Sequence, residues 1–322
     1  MNQPKTKILF LTSEISPFSE TYQLSEFSKR FSNAVNDSED FEIRISQPKY
    51  GYISERKYIL REVIRLKEVP VVFDQKEKIV SIKSAFIPNT RVQVYFLLDN
   101  DHFFNINPLI YKSKNGQFLK SSFENYSLFC LSLLESFKKL FWYPDIIVCN
   151  DWQTAMLPIL LKNNYMDQEK YQNIKTINFI HSINNNRKLA VDCFGKFNLD
   201  VKFSKNMDIL SESMKFFDLN VVLDDEKKTN SNAIKKDKLL SANYKKYKSK
   251  LLKYPNEKNP WSEFVEKFNK LTDKTFGVDL EKECLSHLVC CDINNDHKVN
   301  GWNGEDILKY NRILKNSFPL KV

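Results

Sequence analysis

Short apolar runs alternate with helix-patterned segments through the first 225 residues, and few folds accommodate that alternation. Residues 7–12 (KILFLT) have the length and apolarity of a buried strand. A loop follows at 13–18, and residues 20–36 then place Leu24, Phe27, Phe31 and Val35 at helical spacing. Residues 41–45 alternate apolar and polar, as a second strand does. Strands are expected at 69–73, 79–87 and 92–98, and a helix at 121–142 with Phe123, Tyr126, Cys130, Leu133, Leu134, Phe137 and Phe141 on one stripe. A strand at 146–149, a helix at 151–162, a strand at 176–180, a helix at 206–217 and a strand at 219–223 continue the pattern. Strands and helices in this order imply an α/β fold with a doubly wound parallel sheet. Such sheets bind ligands beyond the carboxyl ends of their strands. Attention therefore falls on Ser13, Glu14, Asn150, Asp151, His181 and Asp224.

Glycine is scarce. The chain has six in 322 residues, where average usage near 7% would give about 22. None lies in residues 1–50, where a nucleotide-binding fold places its first strand-to-helix turn. Neither G-x-G-x-x-G nor a Walker A pattern occurs, so no backbone cradle for a dinucleotide or ATP is expected. The six cysteines match no zinc framework, and the four histidines are scattered without metal spacing. No cofactor and no metal are expected. Residues 292–303 do resemble a calcium loop, with Asp292, Asn294, Asp296 and Asn300 at ligand positions. His297 replaces the turn glycine and Asn303 the bidentate carboxylate, so a polar loop is the preferred reading.

Lys plus Arg number 49 against 40 Asp plus Glu, a net charge of +9. No run approaches the roughly 18 apolar residues of a membrane helix, and the polar start lacks the pattern of a secretory signal. A cytoplasmic protein without membrane partners is expected. Lysines crowd the stretch after residue 225, from Lys227 to Lys258. Two parts are therefore expected: a domain over 1–225, and a basic, partly helical appendage over 226–322; truncation after Asp225, or slightly beyond it to keep a return helix, is expected to leave that domain folded. Tyr244, Tyr247 and Tyr254 could stack on bases within the lysine run. Arginine is absent from it, so a nucleic-acid partner is disfavoured.

Three segments carry a further resemblance: KILFLTSEISPF (7–18), PKYG (48–51) and PDIIVCNDWQTA (144–155). In this order they resemble the N-terminal, starch synthase catalytic domain of bacterial glycogen/starch synthases, in its short single-domain form, over roughly residues 5–225. The resemblance implies a Rossmann-like domain, the N-terminal half of a two-domain GT-B glycosyltransferase. It implies α-1,4-glucosyl transfer from ADP-glucose to a glucan, with Glu14, Asp151, Trp152 and His181 lining the sugar-facing cleft. The partners it implies are an α-glucan and a separate chain supplying the C-terminal synthase half, because residues 226–322 are too few and too lysine-rich to form one.

The family's K-x-G-G-L donor loop departs here to Glu20-Thr21-Tyr22-Gln23-Leu24. Glu20 repels a diphosphate, and Tyr22 and Gln23 put side chains where backbone must approach it. Catalysis is expected to be impaired or absent, which makes a non-catalytic glucan-binding or regulatory relic the alternative to an active synthase. Structural roles for the same residues stay open: Asp151 as a helix N-cap, Trp152 as core, His181 as a surface or capping residue, and Glu14 as a loop anchor.

Overall fold

The computed structural model describes residues 5–21, 23–38, 40–113, 115–119, 121–183, 187–190, 194–199, 206–256 and 260–291. The chain opens with β1 (Thr6–Leu11), α1 (Gln23–Asn36), β2 (Phe41–Pro48), α2 (Glu55–Tyr58), β3 (Arg61–Glu62), β4 (Val69–Phe73), β5 (Lys76–Phe86) and β6 (Gln93–Leu98). It continues with α3 (Ser122–Leu140), β7 (Ile146–Asn150), α4 (Leu157–Asn164), α5 (Glu169–Gln172), β8 (Lys175–Ile180), β9 (Lys188–Ala190) and β10 (Asn206–Asp208). Then come α6 (Ile209–Ser213), β11 (Leu219–Asp224), α7 (Thr229–Lys236), α8 (Lys238–Lys246), β12 (Ser249–Lys253) and α9 (Trp261–Cys291).

Ten strands form one sheet in the order β12-β11-β8-β7-β1-β2-β6-β5-β3, with β4 paired to β5. From β12 to β6 every pairing is parallel; β5 joins β6 antiparallel, and β3 and β4 join β5 the same way. From β1 the chain first builds outward through β2 and β6, then returns to lay β7 on the other side of β1. The winding reverses between β1 and β7, and the expected doubly wound sheet is present.

The central strands are apolar because both faces are covered. On one face Phe31 of α1 meets Phe10 of β1 at 5.1 Å, Phe179 of β8 at 5.3 Å and Phe268 of α9 at 5.5 Å. Helix α3 packs against β4 and α4 and is buried on nearly every side. The helix expected at 206–217 is shorter. Asp208 accepts from the Ser211 amide and so starts α6 at Ile209, while Asn206–Asp208 pairs with β9.

Glycine is retained where backbone must touch backbone. A Cβ on Gly51 would stand 1.8 Å from the Phe104 carbonyl oxygen. Gly51→Ala is expected to cost about 1–3 kcal/mol, the range for forced overpacking, read as a lower thermal midpoint.

The chain divides into two compact units, Met1–Asn269 and Lys270–Val322. In the second, the described residues continue α9. The boundary expected at 225 falls inside the first unit. Strand β12 runs parallel to β11 from Asn220↔Ser249 to Asp224↔Lys253. Ile234 and Leu240 are buried in a cluster with Ile180, Leu210, Met214 and Val222. Burying each such side chain is worth about 1.5–3 kcal/mol, a large part of the roughly 5–15 kcal/mol that holds a domain. The expected harmless truncation at Asp225 is therefore replaced by its opposite. A chain ending at Asp225 loses the cooperative thermal unfolding that a chain ending at Asn269 retains, a difference circular dichroism melts would read directly.

Candidate functional site

The winding reverses between β1 and β7, and Asn150 ties together the segments at their carboxyl ends. Its Nδ2 donates to Thr12 Oγ1 at 3.2 Å and to Ser28 Oγ at 3.1 Å. Both hydroxyl protons go elsewhere: Thr12 donates to the Glu14 carbonyl and Ser28 to the Leu24 carbonyl. The two oxygens must therefore accept from Asn150, which turns its Oδ1 toward His181 Nε2 at 2.6 Å. The ring proton sits on Nε2, and Nδ1 accepts from the Tyr254 hydroxyl at 2.8 Å. Burial pushes the His181 pKa down to about 3, which keeps the ring neutral.

Asp151 follows Asn150 with φ 67° and ψ −175°, a backbone region populated almost only by glycine and costing about 1–3 kcal/mol. Its carboxylate does not cap the 3-10 turn Trp152–Thr154, the structural role open from sequence. It accepts instead from Ser182 Oγ at 2.6 Å and from the His181 and Ser182 amides at 3.4 Å. It thus ties the end of β7 to the end of β8. Burial pushes its pKa up to about 6, against those hydrogen bonds.

Glu14 lies fully buried after β1. The Thr21 amide donates to its Oε2 at 2.7 Å, and the Thr21 hydroxyl lies 2.7–2.8 Å from both oxygens. Tyr111 donates to its Oε1 at 3.4 Å and shares a hydrogen bond with Ser13 Oγ at 2.6 Å. Burial lifts the Glu14 pKa to about 7, with the Asp151 charge adding to the rise.

Trp152 presents no open face. It is 2% exposed, and the rings of Tyr111, Phe118 and Tyr126 surround it at 5.9–6.2 Å. Glu14, Asp151 and His181 thus gather at one rim, with the two carboxyls behind it and His181, Ser182 and Thr21 partly exposed. Glu20 is exposed and accepts from Ser16 Oγ. Tyr22 lies outside the described residues; Gln23 opens α1, and its side chain is likewise outside them. Asp224 is structural, accepting from the Asn230 and Ser231 amides at the start of α7.

Sequence reasoning missed the site roles of Thr21, Tyr111, Ser182 and Tyr254. Ser182 follows a recognised strand end and was within reach; Tyr254 follows β12, which its lysines concealed.

Among the described residues one group of metal-ligating types gathers, Asp99, Asp101 and His102. The Lys78 ammonium lies 3.1 Å from Asp99 and 2.5 Å from Asp101, filling the place of a cation. The calcium-like loop at 292–303 lies outside the described residues. No described helix is long and apolar enough to cross a membrane.

Residues 7–244 match the family model of the starch synthase catalytic domain. The chain belongs to that family. It is 37% identical over 196 residues to the glycogen synthase of Pelodictyon phaeoclathratiforme, covering 61% of this chain and 40% of that protein. The glycogen synthase of Chlorobium phaeovibrioides is 37% identical over 183 residues, 57% of this chain and 37% of that one. The chain thus spans about two fifths of the curated relatives it matches. Among solved structures, the catalytic domain of starch synthase IV from Arabidopsis thaliana, bound to ADP and acarbose, superposes with a TM-score of 0.61 at 17% identity. That match covers 77% of this chain and 52% of that one and establishes the shared GT-B N-domain fold.

Within this rim, Glu14 gives a pH signature of known sign. The folded chain holds its proton up to about pH 7, whereas the ordinary carboxyl releases it near 4.5. Its contribution to stability is full below pH 4.5 and is lost as pH rises toward 7. Glutamine carries no charge at any pH. The melting temperature of Glu14→Gln minus that of the parent chain should therefore grow across pH 4.5–7 and level off above. Paired melts in a pH series check it, and a difference that falls with rising pH contradicts the burial argument.

Proposed function

We propose that this chain is the acceptor-side half of a glucosyltransferase of the glycogen/starch synthase kind, which binds the end of an α-1,4-glucan weakly and does not itself transfer glucose from ADP-glucose. The observation that carries the reading is Asp151: a buried carboxylate on glycine-only backbone, at the point where the winding of the sheet reverses. Strain of that kind persists where surrounding structure over-determines it, and it clusters at ligand sites. Around it the rim offers hydroxyl, amide and imidazole groups, which match the alternating donors and acceptors of a sugar. Weak affinity follows because the rim groups already bond one another, so each bond to a sugar must first break an internal one.

Failure to transfer follows from the loop before α1. Glu20 puts an exposed negative charge where the family motif carries a cation. The family glycines are replaced by Tyr22 and Gln23, so the backbone that would meet a diphosphate carries side chains. Family membership and fold support the type of reaction; the loop supports its loss.

Two measurements test the reading. Purified protein given radiolabelled ADP-glucose and glycogen should incorporate no more label than a heat-killed control, and clear incorporation would overturn the loss of transfer. Maltoheptaose titrated by calorimetry or NMR should bind in the millimolar range. His181→Ala should weaken that binding several-fold and also lower the melting temperature, because it leaves Asn150 Oδ1 and the Tyr254 hydroxyl without their partner. Absence of any binding at millimolar sugar would sink the glucan assignment.

A further inference from the structure

Every polar atom of His181 has a partner from within the chain. Its amide donates to Asp151 Oδ1, its carbonyl accepts from Asn230 Nδ2 at 2.9 Å, and Nε2 donates to Asn150. Nδ1 alone is served from the far edge of the sheet, by Tyr254. Sheet register delivers that tyrosine: β12 ends at Lys253, and the Tyr254 amide donates to the Asp224 carbonyl at 2.8 Å. Phe27 meets the imidazole edge-on at 4.4 Å, and the rings of Tyr254 and Trp261 pack on Phe27 at 5.9 and 5.3 Å. Among the described residues the Tyr254 hydroxyl bonds to nothing but His181.

We propose that Tyr254 is an internal competitor for His181: its hydroxyl occupies the one nitrogen that could accept from a ligand, and a sugar hydroxyl reaches that nitrogen only by displacing it. The ligand class rests on the glucan reading above; the contact itself does not. The exchange swaps one O–H···N bond for another, so removing the competitor should tighten binding by about two- to tenfold, the span of one net hydrogen bond. Tyr254 remains a donor throughout the accessible pH range, because burial raises its pKa further above the ordinary tyrosine value.

Tyr254→Phe removes the hydroxyl and keeps the ring. In the full chain with 15N-labelled histidine, two-bond 1H–15N spectra should show the His181 proton on Nε2 in both proteins. The Nδ1 resonance should move downfield in the variant as its hydrogen bond is lost. Maltoheptaose should bind the variant more tightly. A parent ring protonated on Nδ1, or an Nδ1 resonance indifferent to the substitution, overturns the contact. A shifted resonance with binding no tighter than the parent's overturns the competition. If neither protein binds maltoheptaose yet the resonance shifts, the glucan reading fails alone. Competition is then read with diethyl pyrocarbonate: faster modification of His181 in Tyr254→Phe, relative to His102 in the same sample, supports it, and equal rates overturn it.

Discussion

Asn150 sits where the winding of the sheet reverses, and the rim is organised through its side chain. The two arms of the sheet grow away from β1 and β7, and nothing in the regular ladder fixes what happens past the last paired residue. One amide does so: it reaches Thr12 after β1, Ser28 on α1 and His181 after β8. Because both hydroxyls give their protons to carbonyls, the amide has one satisfied orientation, and that orientation dictates the imidazole tautomer. A buried network with one consistent set of donors is rigid in the way a partly satisfied one is not. Everything at the rim inherits its position from that set.

The two carboxyls extend the same logic to the loops. Asp151 holds the amides that follow β8, and Glu14 holds Thr21 ahead of α1. Each works from a buried position at some cost, since burial alone disfavours the charged form and raises both pKa values. Asp151 adds backbone strain to that cost. Hydrophobic packing behind the rim, through Phe27, Phe31, Phe179 and Phe268, supplies the compensating stability.

The sheet was legible in the sequence because its central strands are covered on both faces and therefore spell continuous apolar runs, as in KILFL. The convergence of Glu14, Asp151 and His181 was legible for a related reason: strand ends of a doubly wound sheet share one rim. Strand β12, SKLLK, was not legible. It is an edge strand with much of its length exposed, and lysines there discourage pairing with other chains. Its composition is that of a solvated tail, in which Tyr254 stands out only as a ring that could stack on bases. The partnership of Tyr254 with His181 spans 73 residues, and no local pattern encodes a contact of that range. The enclosure of Trp152 was hidden for a different reason: of the three rings that wrap it only Tyr126 lies on a helix, while Tyr111 and Phe118 lie in a segment without periodicity.

Seen together, the loop before α1 and the strand at the far edge act on the same rim from opposite sides. On the α1 side, Thr21 spends both its amide and its hydroxyl on Glu14, which draws the loop down onto the carboxyl. On the β12 side, Tyr254 spends its hydroxyl on His181. A site that engages sugar in passing needs groups whose hydrogen bonds are completed by ligand or water. A site whose groups complete one another gains rigidity and gives up affinity, because each new bond to a ligand must first break an internal one. The proposed weak glucan binding follows from that exchange: the chain itself already meets the hydrogen-bonding needs of the rim residues.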